Sequence, residues 1–252
     1  MQDLLFANGG VPFIVLCISA LLIGINKTAL PGVGLLPVIL LASAFETRLS
    51  TGLQLGMLAM TDVMAVIWYR RHADWKILLR LLPWGLLGLA CGSGILYIIP
   101  ENDSRTMNII IGSIVLGLAL LSIIRRRMNQ DKVPSGKLAA GFCGILLGVT
   151  TQLANAAGPV AAIYFLAMKL PKEKYMGTNA WFFLIINWIK LPIFIAEGRI
   201  SLESVKMDLI MIPFLLAGAA AGILLLKKMP QKLFNDIIMA LVIAAALKML
   251  FF

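Results

Sequence analysis

Charged side chains are scarce in this chain, and their scarcity excludes a soluble globular domain. Only 13% of the 252 residues are charged, whereas 60% are hydrophobic and the mean hydropathy is +0.94. Soluble domains have about 25% charged residues, so this composition is typical of a chain that lies in a bilayer. We therefore predict an all-α integral membrane protein.

The side chains of catalysis and metal binding are equally sparse. The one histidine, His72, lies in a basic loop, and the three cysteines lie in apolar segments without paired spacing. Such cysteines predict neither a disulfide framework nor a metal site. No nucleophile elbow, zinc-ligand pair or phosphate loop occurs in the sequence. We therefore expect neither an enzyme nor a bound metal or cofactor.

Long apolar runs are abundant, and they recur at lengths close to the roughly 20 residues that a membrane helix needs. The first apolar segment has Asp3 as its only charge before Lys27, so we expect it to belong to the mature protein rather than to a cleaved signal peptide. The runs that we assign to full membrane spans are 49–69, 77–99, 106–124, 177–196, 208–226 and 232–252.

The basic residues are concentrated in loops between apolar runs. Of the 22 lysines and arginines, fifteen lie in four such loops, which explains the net charge of +10 without nucleic acid as a partner. An excess of basic loop residues marks the cytoplasmic face of a membrane. The clusters are Arg70, Arg71, Lys76 and Arg80; Arg125, Arg126, Arg127, Lys132 and Lys137; Lys169, Lys172 and Lys174; and Lys227, Lys228 and Lys232.

Two apolar stretches, 22–34 and 146–158, are interrupted by small and polar residues. Backbone that leaves a helix cannot face lipid, because each unpaired polar group costs several kcal/mol there. It must be buried in protein or line a cavity, and paired interruptions in two halves of a membrane chain indicate the substrate site of a transporter. We predict helix breaks at 26–33 and at 150–157.

The second half of the chain repeats the first. The pairing of glycines and prolines keeps offsets of 124, 125 and then 130, and a steady increase is what loop insertions would produce. The pairs are Gly24 with Gly148, Gly34 with Gly158, Gly52 with Gly177, Pro83 with Pro213, Gly88 with Gly218, Gly92 with Gly222, and Pro100 with Pro230.

Each half is predicted to contain a broken-helix hairpin followed by three transmembrane helices, giving 8–10 membrane segments. The sequence leaves open whether each hairpin is re-entrant or crosses twice. Three spans after a hairpin give odd parity, so the two repeats have inverted topology. Repeat one is 1–127, a cytoplasmic linker is 128–137, and repeat two is 138–252. With both termini outside, the basic residues divide 15 inside to 5 outside.

Lys27 and Lys190 fall within apolar segments and belong to neither face. A lysine at the centre of a span costs about 2.5 to 3.5 kcal/mol, so it usually faces a bundle interior or an aqueous pathway. Together the two lysines predict an anionic substrate. The alternative is that each lysine snorkels to the surface or pairs with a carboxylate.

Asp62 is the only acidic residue that we expect to be buried. Gln54 and Asp62 share one predicted helical face with Thr61, and the duplication pairs Gln54 with Asn179 and Asp62 with Asn187. Lys190 follows Asn187 by three positions. We predict that these residues form polar walls of one cavity, in which Asp62 either pairs with a lysine or carries a proton during transport.

Both breaks are expected to supply hydrogen-bond donors to an anion. Helices that begin near Val33 and Ala156 would present free N–H groups and the positive end of the helix dipole. The alternative is that the small residues serve helix packing, a role that we assign instead to 88–92 and 218–222. The break residues predicted to bind substrate, beside Lys27, Lys190 and Asn187, are Thr28, Gly32, Gly34, Thr151, Gln152, Asn155 and Gly158.

Four motifs resemble those of a known family. They are Gly24-x-x-Lys27-x-x-x-Pro31-Gly32-x-Gly34 with Pro37; Asn155-x-x-Gly158-Pro159 with Tyr164; Gly177-Thr178 followed by Phe182-Phe183; and Asn187-x-x-Lys190-Leu191-Pro192. In this order they resemble the sulfite exporter TauE/SafE family, also called the TSUP transporters, over nearly the whole chain.

The resemblance implies a carrier of the bacterial cytoplasmic membrane that moves sulfite or small organosulfur anions such as sulfonates. Alternating access around a midplane site is the mechanism that inverted repeats favour. The alternatives are a channel-like uniporter, an enzyme acting on an anionic lipid precursor, and a structural membrane subunit. Membrane lipids are expected partners, while proton coupling, direction of transport and assembly into homo-oligomers stay open.

Overall fold

The structure is a computed structural model that describes residues 7–98 and 137–251. The described residues contain no strand and are almost entirely helical, with one short 3-10 turn at Arg70–His72. The ten described α-helices are α1 (Ala7–Thr28), α2 (Leu35–Ala44), α3 (Thr47–Tyr69), α4 (Trp75–Ile98), α5 (Lys137–Ala154), α6 (Gly158–Ala167), α7 (Lys172–Ala196), α8 (Leu202–Ile210), α9 (Ile212–Lys228) and α10 (Gln231–Phe251).

Several of these helices have the length and composition of membrane spans, which confirms the predicted all-α integral membrane protein. Four described helices qualify individually, and α8 with α9 forms a bent fifth candidate. The four segments are Gly10–Thr28, Arg48–His72, Trp75–Ile95 and Lys172–Ala196. The predicted span 106–124, the basic cluster at 125–127 and nearly all of the predicted linker lie outside the described residues.

Both predicted helix breaks are present, but they are shorter than expected. The first break is 29–34, because α1 continues through Thr28 and Ala29 still donates to Ile25 O at 2.8 Å. The second is 155–157, because α5 continues through Ala154. In hydrocarbon each retained backbone hydrogen bond avoids a penalty of several kcal/mol, so the helices persist close to Pro31 and Pro159.

The prediction that Lys27, Thr28, Thr151 and Gln152 lie in unwound segments is therefore wrong. All four belong to the last turns of α1 and α5. The first helix of each pair is also longer than a half-helix, with 22 residues in α1 and 18 in α5. The second helix of each pair has 10 residues and begins close to the predicted position.

The span predicted at 208–226 is a pair of helices bent by 49°, and it begins earlier than expected. Helix α8 starts at Leu202 with a reciprocal Ser201 and Ser204 capping box, and Met211 separates it from α9. Pro213 lies in the first turn of α9, where its missing N–H cannot continue the hydrogen bonding of α8. The sequence signal for this bend was Pro213 itself.

The chain forms two compact units, each of which combines helices from both sequence halves. The first contains the described residues of Met1–Arg71 and Ala180–Met229, and the second contains those of His72–Asn179 and Pro230–Phe252. The boundaries of the two sequence repeats stay a prediction.

Close backbone contact between α1 and α9 organises the first unit. A Cβ added at Gly24 would lie 2.6 Å from both Ala219 N and Leu215 O, and a Cβ at Gly218 would overlap Leu21 O. Small residues allow this approach because membrane helices associate through packing and interhelical hydrogen bonds. The Thr28 hydroxyl adds such a bond by donating to Ala219 O at 3.0 Å.

The second unit contains a matching contact between α4 and α5. A Cβ at Gly148 would overlap Gly85 O and crowd Leu89 N, and a Cβ at Gly88 would overlap Ile145 O. Under the offsets read from the sequence, Gly148 corresponds to Gly24, Gly88 to Gly218 and Ile145 to Leu21. Matching contacts within each unit support the internal duplication, and the packing role assigned to 88–92 and 218–222 agrees with them.

A candidate anion site in the first unit

Lys27 forms a buried ion pair with Asp62. Its Nζ lies 2.5 Å from Asp62 Oδ1, and the side chains are 4% and 0% exposed. Lys27 projects from the last turn of α1, while Asp62 lies in the middle of α3. Because each ion would be costly if buried alone, the pair is a strong constraint on how these two helices meet.

Asn187 of α7 completes the coordination of the Asp62 carboxylate. Its Nδ2 donates to Asp62 Oδ2 at 2.6 Å, and the two residues are separated by the 125 positions that relate the predicted repeats. The other amide atom, Asn187 Oδ1, is buried and has no hydrogen-bond partner among the described residues.

Lys190 lies one turn beyond Asn187 and is fully buried. Its Nζ lies over the Phe194 ring at 4.9 Å from the centroid, just as Lys27 Nζ lies over Phe183 at 4.4 Å. The residues Phe183, Asn187, Lys190 and Phe194 are spaced by 4, 3 and 4, so they share one face of α7. Aromatic faces offset part of the loss of water around a buried ammonium.

The formal charges of this cluster favour an anion. We define the lysine cluster as Lys27, Asp62, Asn187 and Lys190; it contains two cations and one anion, all within the first unit. Arg199 and Glu197, at the end of α7, form a pair with 2.8 Å between Nε and Oε2 and contribute no net charge. A buried formal excess of one positive charge can be balanced by one bound monoanion.

The first helix break is occupied by a side chain of its own helix. Asn26 Oδ1 accepts a hydrogen bond from Gly32 N at 3.2 Å, and a Cβ at Gly34 would lie 3.0 Å from the Asn26 amide. Gly32 has φ 139°, which an L side chain rarely adopts. Gly32 and Gly34 therefore have a structural role, because they allow the backbone to turn closely around the Asn26 side chain.

Thr28 also has a structural partner. Its hydroxyl lies 2.8 Å from Gly24 O and 3.0 Å from Ala219 O, and its carbonyl accepts from the Tyr69 hydroxyl at 2.8 Å. These bonds hold the end of α1 against α9 and α3. Thr28 thus positions the neighbouring Lys27.

The second break lies in the second unit. Asn155 has φ 51°, a left-handed conformation that asparagine tolerates at a helix end, and its N–H donates to Thr151 O at 3.0 Å. Thr151 and Gln152 are buried in α5, whereas a Cβ at Gly158 would meet open space. Thr151, Gln152, Asn155 and Gly158 therefore lie close together in the chain, within the second unit. The buried polar residues described in that unit are all uncharged.

The remaining predicted wall residues are buried in their helices. Gln54 lies on α3, Asn179 lies on α7 in the segment assigned to the second unit, and each is 2% exposed. Thr61, next to Asp62, donates its hydroxyl to Met57 O at 2.7 Å. Their burial agrees with the predicted polar face of α3.

The prediction that Asp62 is the only buried acid is wrong. Asp208 is 2% exposed, and the basic residue Arg199, one of the five basic residues assigned to the outer face from the sequence, is 7% exposed. Asp208 packs against α3, where Gly56 leaves room for its carboxylate. The sequence did contain a signal for the burial of Asp208. Ser204 and Asp208 are four positions apart among apolar residues, a spacing that places both polar side chains on one helical face.

The apolar spans define a multi-pass membrane protein, and a broken helix pair with buried lysines is typical of the solute-transport class. The family model described as Sulfite exporter TauE/SafE matches residues 16–249. The chain belongs to this family, which is a family of transporters and suggests a membrane exporter of sulfite or a related anion. Searches among curated proteins and among solved structures give no match.

Proposed function

We propose that the chain is a secondary transporter for sulfite or a small organosulfonate, and that the lysine cluster binds the anion. The observation that carries this proposal is the burial of two lysines, Lys27 and Lys190, with one carboxylate, Asp62, a formal excess of one positive charge. Such charges in membrane helices usually mark a substrate or ion pathway.

The two lysines have different tasks in this proposal. Lys27 is neutralised by Asp62 at 2.5 Å, so its main contribution is to fix Asp62 and Asn187. Lys190 contributes the remaining formal positive charge, which a bound anion would stabilise, and the buried Asn187 amide lies one turn away on the same face. A charge-assisted hydrogen bond contributes about 1.5 to 3 kcal/mol, enough to hold an oxyanion while permitting its release.

The two sequence repeats supply the proposed mechanism of alternating access. Inverted repeats allow a transporter to expose one site to either side by rocking. The matching glycine contacts within each compact unit support a duplicated scaffold. The second helix break corresponds to the first under the predicted duplication. For this reason we also propose that substrate is bound by Thr151, Gln152, Asn155 and Gly158.

Transport by purified protein in liposomes tests the proposed function. Uptake of labelled sulfite, methanesulfonate and acetate is measured for the wild type, for Lys190→Gln, and for Lys206→Gln as a matched exposed control. We expect saturable uptake of at least one sulfur oxyanion, a loss of about 10-fold or more in Lys190→Gln, and wild-type uptake in Lys206→Gln.

Uptake equal to the wild type in Lys190→Gln would remove Lys190 from the site. Uptake of all three anions at the rate of empty liposomes would contradict the proposed function itself. A flux that never saturates would favour the channel-like uniporter over a carrier.

A further inference from the structure

Helix α8 buries two polar side chains, Ser204 and Asp208, while several of its large apolar side chains are exposed. Leu202 and Leu209 are 72% and 50% exposed, while Ser204 and Asp208 are buried. The exposed leucines fit a helix with part of its surface toward lipid. An acidic residue on the inner face of such a helix is costly and usually functional.

The Asp208 carboxylate lies directly over Gly56 of α3. A Cβ at Gly56 would overlap Asp208 Oδ2, so the glycine forms a recess that holds the carboxylate against the helix. Asp208 Oδ1 is buried and has no hydrogen-bond partner among the described residues. Ser204, one turn earlier, uses its hydroxyl in bonds with Ser201.

Charged residues near Asp208 in the chain are directed elsewhere. On α8 itself, Glu203 and Lys206 are exposed. In the preceding loop, Arg199 pairs with Glu197 at 2.8 Å.

Helices α3 and α9, which pack against α8, also supply no counter-ion within the described chain. On α3, Arg48 is exposed and Asp62 pairs with Lys27. The charged residues of α9 are Lys227 and Lys228, at its far end. An isolated buried carboxylate without a partner is best accommodated in its neutral, protonated form.

We propose that Asp208 is a proton-binding site that couples anion transport to the proton gradient. The inference rests on the proposed function, because it assigns the coupling ion of the same transporter. It also assigns to Asp208 the proton role that the sequence left open for Asp62, since Asp62 is occupied by Lys27 and Asn187.

The arrangement favours symport of anion and proton. Gly56, beside Asp208, lies six residues before Asp62 on α3, about 9 Å along the helix axis. A bound anion and an ionised Asp208 would repel each other across this low-dielectric region. Anion binding and protonation therefore favour each other, and by linkage each raises the affinity for the other.

Full-length protein in liposomes provides the test, with methanesulfonate and sulfite as probes. Net uptake with and without an inwardly directed proton gradient is compared with exchange of the same anion at equal pH on both sides. Methanesulfonate stays ionised over the pH range, so a gradient acts on the protein and not on the probe. The variants are Asp208→Asn, Asp208→Glu, and Glu203→Gln as an exposed control on the same helix.

We expect the proton gradient to raise net methanesulfonate uptake about fivefold or more in the wild type and in Glu203→Gln. Asp208→Asn should lose this stimulation while keeping exchange within about twofold of the wild type, which also shows that it is folded. Asp208→Glu should recover part of the stimulation.

Gradient stimulation of wild-type size in Asp208→Asn would overturn the inference, as would a wild type whose saturable uptake ignores the gradient. Loss of exchange together with stimulation would assign Asp208 to structure or anion binding instead. Failure of the wild type to exchange either probe would contradict the proposed function, which is a separate outcome.

Discussion

A double-mutant cycle on Lys27 and Asp62 tests whether their ion pair is a coupled unit in the membrane core. The perturbations are Lys27→Met, Asp62→Asn and both together. Each single change leaves a buried charge without its partner, which typically costs about 3 to 5 kcal/mol of unfolding free energy. The double variant removes both charges and leaves neutral groups of similar size.

The structure indicates that the two single changes differ. In Lys27→Met, Asp62 retains the hydrogen bond from Asn187 at 2.6 Å, so we expect a loss near the lower limit, about 3 kcal/mol. In Asp62→Asn, Lys27 loses its carboxylate in the same cluster as Lys190, so we expect about 4 kcal/mol. The double variant should lose less than about 2 kcal/mol, because buried pairs are often replaceable by neutral residues.

Reversible unfolding in mixed micelles, followed by the fluorescence of the five tryptophans, measures these free energies. The expected coupling energy is at least about 5 kcal/mol, the two single losses together less the loss of the double variant. The exposed Glu203→Gln and Lys206→Met changes on α8 are the control, with losses below about 0.5 kcal/mol each. A double variant that loses about 7 kcal/mol, the sum of the singles, would refute the ion pair.

Three further substitutions have defined outcomes. Gly24→Leu should lower the unfolding free energy by about 1 to 3 kcal/mol, because the new side chain overlaps α9. Gly158→Ala is the control: its methyl group meets open space, so the same assay should show a change below about 0.5 kcal/mol. Equal losses in the two variants would contradict the packing role of Gly24. Gly32→Ala should cost about 1 to 3 kcal/mol because φ is 139°, and unchanged stability would show that the turn relaxes. Phe194→Leu should weaken anion binding about 2- to 30-fold, measured by titration calorimetry, because Lys190 loses its aromatic face; tighter binding would contradict this role.

Much of the membrane architecture could be predicted from the sequence, because hydrocarbon imposes a strong requirement on helix length and polarity. The runs at 49–69 and 77–99 correspond to α3 and α4 with small errors at their ends. The positions of the two helix breaks could be predicted, but each break is shorter than the sequence indicates, because small and polar residues such as Thr28 and Gln152 are compatible with a helix. The sequence suggests that their hydroxyl and amide groups donate hydrogen bonds to substrate, yet the Thr28 hydroxyl bonds to backbone carbonyls of α1 and α9.

The charged residues of the candidate site were recognised by their position in apolar runs. The spacing of Gln54, Thr61 and Asp62 correctly placed them on a buried face of α3. Asp208 was missed because it stands at the edge of an apolar run, where a charge usually marks a loop. Its contact with Gly56 of α3 is a tertiary contact, which local sequence patterns do not predict.

The most direct test of the central claim is equilibrium binding of sulfite and methanesulfonate to detergent-purified protein by titration calorimetry. We predict saturable binding of at least one of them to the wild type and to Lys206→Gln, and binding about 10- to 150-fold weaker in Lys190→Gln, as expected for one lost charge-assisted hydrogen bond. Equal affinity in Lys190→Gln and the wild type would contradict an anion site in the lysine cluster.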